Sequence, residues 1–86
     1  MDNFRIEMKE WSDVRRIQSF YSMIKENNNK CIEFNFEGAA FIDSAVFQLL
    51  LSLRQSKTWA ERVRFLNVTD NIKENAALLG LNTLFA

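Results

Sequence analysis

The chain has 86 residues, of which 48% are hydrophobic and 26% are charged, and its eleven basic side chains balance its eleven acidic ones. This length predicts one domain. The balanced charge, without a long run of like charges, argues against a surface for nucleic acid or anionic membranes. Histidine is absent and glycine occurs twice, which excludes histidine-based nucleophiles, His-containing metal sites, P-loops and dinucleotide fingerprints. We therefore predict a protein that is not an enzyme and holds neither a cofactor nor a metal.

Two further features of the sequence concern its location. No apolar run approaches the roughly 18 residues of a membrane span, and no signal-peptide pattern opens the chain. Cys31 is the only cysteine, so it cannot form an intramolecular disulfide, and its position before an apolar strand favours burial. We expect a cytoplasmic protein without a membrane span.

The N-terminal part of the chain shows a strand and then a helix. Residues 4–9 alternate between apolar and polar side chains, which is the period of a half-buried strand. Ser12 or Asp13 then serves as a helix cap. The helical pattern that follows has apolar residues at intervals of three and four, at Val14, Ile17, Phe20, Tyr21 and Ile24.

Residues 32–37 give the strongest strand signal of the chain because they alternate without interruption. The apolar members are expected in the core, and they are Ile32, Phe34 and Phe36. The polar members are expected to face solvent, and they are Glu33, Asn35 and Glu37. A sheet covered chiefly on one face would produce this pattern.

A helical pattern extends from Ser44 to about Trp59. The stripe expected to face the sheet consists of Val46, Leu49, Leu50 and Leu53. Phe47 and Leu51 lie beside this stripe, where they either complete the core or remain partly exposed as a contact surface. Sequence alone leaves this choice open.

Residues 62–68 predict another strand, and residues 69–71 supply caps for a last helix, with Asn71 and Glu74 at capping-box spacing. The apolar stripe of that helix is Ile72, Ala76 and Leu79. Gly80 occupies the position of a left-handed C-cap with Leu81 as its hydrophobic contact, and Leu84 and Phe85 close the chain as apolar plugs. The β-α-β-α-β-α order predicts a two-layer α/β fold with a mixed or mostly parallel sheet of about four strands and helices chiefly on one face.

The junction Asp43-Ser44 is expected to end an apolar strand and to open a helix. Backbone N–H groups and the positive end of the helix dipole converge at such a junction, so a carboxylate or hydroxyl there is easily used as a switch. The alternative is structural, because every helix favours such a residue as its N-cap.

Three segments in this order resemble the STAS domain, the fold of bacterial anti-sigma factor antagonists. They are Phe41-Ile42-Asp43-Ser44, Phe65-Leu66-Asn67-Val68, and Gly80 to Phe85, which resembles a closing Gly-Leu-x-x-Leu-Phe. The similarity covers about residues 32–85. It departs from the usual Asp-Ser-Ser/Thr-Gly motif at Ala45 and Val46, and the N-terminal part is shortened.

The resemblance implies a regulatory module that binds a kinase-type anti-sigma factor and is released by phosphorylation, here at Ser44 because Ala45 replaces the second hydroxyl. The partner-binding residues that it implies are Asp43, Ser44, Ala45, Phe47, Gln48 and Leu51. One alternative is an accessory subunit of an Mla-type ABC lipid transporter that binds the ATPase through the same helix. Another is a nucleotide-binding sensor, and association into a homodimer also remains open.

Overall fold

Strands and helices alternate along the chain in the predicted β-α-β-α-β-α order. The computed structural model describes residues 2–11, 14–81 and 83–85. Its strands and α-helices are β1 (Asn3–Glu7), α1 (Ile17–Glu26), β2 (Cys31–Asn35), α2 (Ser44–Gln55), β3 (Val63–Leu66) and α3 (Asp70–Leu78). Two short 3-10 helices, Met8–Glu10 and Val14–Arg16, lie between β1 and α1, so the first strand ends at Glu7 rather than at Lys9. Helix α2 ends at Gln55 rather than near Trp59, and the predicted caps Ser12 and Asp13 lie outside the described residues.

The sheet of the described residues contains three strands, all parallel, in the order β1-β2-β3. The prediction of about four strands is therefore wrong for this part of the chain. The physical reason is that only three segments carry strand alternation. Residues in register share a face of the sheet, so Phe4 lies beside Ile32 and Ile32 beside Val63.

The two faces of the sheet differ in character. One face carries Phe34 and Phe65, and Phe20 of α1 packs on Phe34 with 6.0 Å between the ring centroids. The other face carries Arg5 and Glu33, whose side chains form an ion pair with an N–O distance of 3.6 Å. Hydrophobic burial on the first face and solvation of the second explain the alternation of β2.

The core is one hydrophobic cluster on the aromatic face of the sheet. Its members include the predicted Ile32 and Phe34 of β2 and Phe36 directly after it, which are fully buried, together with Leu84. Phe85 closes the cluster, because its ring lies 5.5 Å from that of Phe36 and 5.2 Å from that of Phe65 in edge-on contacts. The prediction that the chain end supplies apolar plugs is confirmed.

Several residues that the apolar stripes predict to be buried are exposed or only half-buried. Tyr21 is exposed beside Lys25, whose Nζ lies 5.4 Å from the ring centroid. Leu79, the C-cap of α3, is exposed although it is spaced with the core-facing Ile72 and Ala76. Leu49 and Glu33 are half-buried, and Cys31 is half-buried rather than buried, since it lies on the face opposite Ile32.

Asn35 is the clearest exception to the alternation, because it is only 3% exposed where solvent exposure is predicted. Its amide nitrogen donates to both carboxylate oxygens of Glu7, at 3.0 and 3.1 Å. Its carbonyl oxygen accepts from the side chain of Asn67 at 2.7 Å and from the backbone N–H of Glu37 at 3.3 Å. Burial of the amide is tolerated because its polar atoms have partners.

The ends of α3 are defined by two local motifs. The side chain of Thr69 accepts a hydrogen bond from the backbone N–H of Ile72 and serves as the N-cap. Thr69 belongs to the segment predicted to supply caps, whereas Asn71, which has capping-box spacing with Glu74, donates to the backbone carbonyl of Ala40 at 3.2 Å. At the other end, Gly80 has a φ of +77°, and the N–H of Leu81 bonds to the carbonyl of Ala76 at 2.8 Å. This is the predicted left-handed C-cap.

Candidate functional site

The junction before α2 has the geometry of a helix N-cap. Asp43 has extended backbone angles, with φ −64° and ψ 145°, and its side chain accepts a long hydrogen bond of 3.5 Å from the backbone N–H of Ala45. Ser44 is the first residue of α2 and is exposed. Asp43 therefore has a structural role as cap, while the hydroxyl of Ser44 remains accessible at the positive end of the helix.

A groove of about 300 Å³ opens beside this junction. Its lining comes from the segment before α2 and from the last turns of α3, and the residues are Phe41, Ile42, Asp43, Ser44, Asn75, Leu78 and Leu79. The sequence indicates that Asp43 and Ser44 lie at the start of α2, and the fold brings the C-terminal end of α3 beside them. We call this surface the junction groove.

Exposed apolar side chains surround the junction groove. Phe41 is 64% exposed, Leu78 85% and Leu79 46%. Single exposed apolar residues are common on protein surfaces, but three large ones around one concavity form the kind of patch that marks an interaction site. Burial of three such side chains against a partner would be favourable, at roughly 25 cal/mol per Å² of apolar surface.

Contacts of neighbouring residues fix the backbone segments that carry these exposed side chains. Ile42 is buried and anchors the segment from which Phe41 projects. The hydrogen bond from Asn71 to Ala40 fixes the start of α3 against the same segment. Leu78 is the last residue of α3 and lines the groove, and Gly80, with a φ of +77°, lies two residues further on.

The structure separates the predicted site residues into different environments. Gln48 is exposed on α2, while Ala45 and Leu51 are half-buried. Phe47 is fully buried, with its ring 6.2 Å from that of Phe85. The expectation of a partly exposed Phe47 as a partner anchor is therefore wrong, because α2 is rotated so that this side chain faces the core.

Sequence reasoning missed the apolar part of the groove. The apolar pattern before Asp43 predicts a strand end at Phe41, but residues 36–43 form no strand, and Leu79 of the predicted core stripe is exposed. The one signal available was the doublet Leu78-Leu79, because two adjacent helical residues are about 100° apart and a narrow stripe cannot bury both. That Phe41 and the end of α3 line the same groove depends on tertiary structure.

The described residues contain no group of three His, Cys, Asp or Glu side chains that would hold a metal ion. Within them, every buried side-chain nitrogen or oxygen has a hydrogen-bond partner. The described lining of the groove is mainly apolar, and its polar side chains are the carboxylate of Asp43, the hydroxyl of Ser44 and the amide of Asn75. Such a surface suits binding of a protein segment.

Comparisons with protein-family models, curated proteins and solved structures found no match to this chain. In the part of the chain that the structure describes, no helix has both the length and the apolar character that crossing a membrane requires.

Proposed function

We propose that this protein is a non-enzymatic regulatory module that binds a protein partner through the junction groove. The observation that carries the proposal is the exposure of Phe41, Leu78 and Leu79 around the junction Asp43-Ser44. Large apolar side chains at the centre of an interface supply most of its binding energy. Gln48 extends the surface along α2, whereas Phe47 is left out of it.

The charge of the groove indicates the chemistry of the partner. Asp43 is its one described charged residue, and Glu74 lies one helical turn before Leu78 on α3. An amphipathic helix with an apolar face and a flanking Lys or Arg complements this surface. The apolar face would cover Leu78 and Phe41, and the basic residue would meet Asp43.

The resemblance to STAS domains supports a partner of the kinase-type anti-sigma class, acting in the bacterial cytoplasm and controlling transcription. Ser44 is accessible to a kinase, and a phosphate there would add about 1.5–2 negative charges beside Asp43. Repulsion and desolvation would then release the partner.

One observation favours a second candidate function, in which the partner binds to the same groove without phosphorylation. Ala45 stands where the resembling motif carries its second hydroxyl, and it is half-buried. Constitutive binding needs no acceptor at this position. An accessory subunit of an Mla-type lipid transporter would bind its ATPase constitutively.

The interface is tested with the partner identified by affinity capture from the native cytoplasm. Titration calorimetry then compares the wild type with Phe41→Ala and Leu78→Ala. Each variant is expected to weaken binding by about tenfold or more, because tenfold corresponds to about 1.4 kcal/mol and truncation of an anchor costs about 2 kcal/mol or more. Tyr21→Ala is the matched control, since Tyr21 is also exposed but lies on α1.

Two results would contradict the proposal. Groove variants that bind like the wild type would place the interface elsewhere, and so would a loss of affinity confined to Tyr21→Ala. Intact-mass analysis after incubation with the captured kinase and ATP separates the two candidates. One added phosphate that Ser44→Ala abolishes supports the switch, whereas an unmodified protein supports constitutive binding.

A further inference from the structure

The outer edge of β1 is an unpaired side of the sheet. In the part of the chain that the structure describes, β1 pairs with β2 on one side, and the sheet has no strand on its other side. Asn3 and Arg5 of this strand are exposed. The edge lies across the sheet from β3, and none of the described residues that line the junction groove belongs to β1. An edge strand of this kind can pair with a further strand.

The hydrogen bonds between β1 and β2 indicate which backbone groups point outward. The N–H of Cys31 in β2 donates to the carbonyl of Asp2 at 2.9 Å. The N–H and C=O of one strand residue point to the same side of the strand, and the side alternates from residue to residue. Even-numbered residues of β1 therefore face β2. The backbone groups of the odd-numbered residues, which include Arg5 and Glu7, point away from the sheet.

Arg5 and Glu7 also share the solvated face of the sheet. The Arg5 side chain is 55% exposed, and its contact with the Glu33 carboxylate involves Nε, at 3.6 Å. The Glu7 carboxylate is fixed in position because the side-chain amide of Asn35 donates to both of its oxygens. A carboxylate has about four acceptor sites, so Glu7 can accept further hydrogen bonds. The edge thus carries a cation and an anion two residues apart on one face.

We propose that β1 pairs with β1 of a second copy of this chain, antiparallel and about a two-fold axis at Ile6. Two-fold symmetry makes identical edge strands antiparallel. In this register Arg5 lies opposite Glu7 of the second copy, and the outward backbone groups of these two residues form hydrogen-bonded pairs. An axis at Arg5 would instead place two guanidinium groups opposite each other, which is unfavourable. Charge complementarity therefore favours a second copy in one register.

The dimer would contain one continuous six-stranded sheet with the two β1 strands at its centre. Because only residues 5–7 of each β1 overlap in this register, the interface is short and the dimer is weak. The junction grooves belong to other elements. Each copy would therefore keep its groove, and the dimer would present two of them to partners.

Sedimentation velocity of the full chain tests for the dimer. A reversible monomer–dimer equilibrium is expected between about 10 µM and 1 mM protein, the range of dissociation constants for so short an interface. Hydrogen exchange followed by NMR then locates the contact. The amides of Arg5 and Glu7 should become more protected as the protein concentration rises, whereas those of Phe4 and Ile6, which face β2, should change little.

Charge reversal tests the register. Arg5→Glu and Glu7→Lys should each raise the dissociation constant by about tenfold or more, because two attractive pairs become two repulsive ones. An equal mixture of the two variants should associate at least about tenfold more tightly than either variant alone, because the carboxylates of one then oppose the cations of the other. Arg64→Glu is the matched control, since Arg64 is in register with Glu33 on the opposite side of β2.

Glu7→Lys removes the acceptor of Asn35, so circular dichroism checks that each variant folds. If Glu7→Lys does not fold, Arg5→Pro provides the second test. Proline removes the outward N–H of Arg5 and leaves the bonds to β2 in place, which edge strands tolerate. This variant should remain a monomer at about 1 mM, a concentration at which the wild type dimerises.

Any of three results would overturn the proposal. A wild type that is monomeric at about 1 mM would show that the edge does not bind a second copy, and would leave it to a strand of another protein. A dimer in which the amides of Arg5 and Glu7 stay unprotected, or one that Arg64→Glu weakens equally, would use a different surface. Variants that do not associate with each other when mixed would exclude the pairing of Arg5 with Glu7.

Discussion

The side-chain amide of Asn67 donates a 2.7 Å hydrogen bond to Oδ1 of Asn35, and this bond links the carboxyl ends of β2 and β3. Asn67 has a φ of +56°, a left-handed conformation that asparagine adopts more readily than most residues. Asn35 in turn donates to Glu7 at the end of β1. One buried amide thus connects all three strands at the edge where the chain leaves the sheet.

Asn35→Ala is expected to lower the free energy of unfolding by about 1–3 kcal/mol, because Glu7 and Asn67 lose their shared partner at a part-buried position. Urea denaturation measures this change. Asn29→Ala is the control, since Asn29 is exposed in the turn before β2, and it should change stability by less than about 0.5 kcal/mol. Equal midpoints for the two variants would show that the network contributes nothing.

Phe47 and Phe41 provide a matched pair on either side of the start of α2. Phe47→Ala should lower the free energy of unfolding by about 3–5 kcal/mol, because the side chain is fully buried against Phe85. Phe41→Ala should change it by less than about 0.5 kcal/mol, because Phe41 is mostly exposed. Thermal denaturation followed by circular dichroism compares them, and the reverse order of stability would contradict the burial.

Leu50→Ala and Leu53→Ala should each lower the free energy of unfolding by about 2–5 kcal/mol, because both side chains are buried between α2 and the sheet. Total stability of a small domain is only about 5–15 kcal/mol, so either variant should show a clearly lower urea midpoint. Gln48→Ala on the exposed face of α2 is the control. A wild-type midpoint for both leucine variants would show that α2 does not pack in this orientation.

Gly80→Ala should lower the free energy of unfolding by about 1 kcal/mol. The cause is the φ of +77° alone, because a Cβ at this position would meet no atom within 4 Å. Gly80→Asn should cost less, since asparagine tolerates the left-handed conformation. Guanidinium denaturation of the two variants separates backbone strain from steric clash, and equal losses would indicate a clash.

Ser44→Asp should weaken binding of the captured partner without unfolding the domain. The new carboxylate lies at the first position of α2, where the helix dipole favours it. At the interface it would be a desolvated charge beside Asp43, and like charges brought together in an interface cost on the order of several kcal/mol. Titration calorimetry measures the affinity with Ser44→Asn as the neutral control. An affinity equal to that of the wild type would exclude Ser44 from the interface.

The element order and much of the core follow from the sequence by itself. The alternation at residues 32–37 indicates which side chains of a strand share a buried face. The apolar intervals around Phe20 and Leu50 indicate the same for two helices. The left-handed C-cap at Gly80 could also be predicted from the sequence, because glycine is the residue that adopts this conformation most readily at the end of a helix. These features depend on neighbours a few residues away, which is why a single sequence determines them.

Only the tertiary structure decided the rest. Asn35 is buried because β1 and the end of β3 supply partners that are distant in sequence, and Phe47 is buried because the chain end places Phe85 against it. The junction groove exists because the end of α3 packs beside Phe41, a pairing that no local period encodes. Local periodicity indicates which face of each helix or strand is the most apolar. The packing of these elements against one another determines which side chains beside that face are buried and which remain exposed.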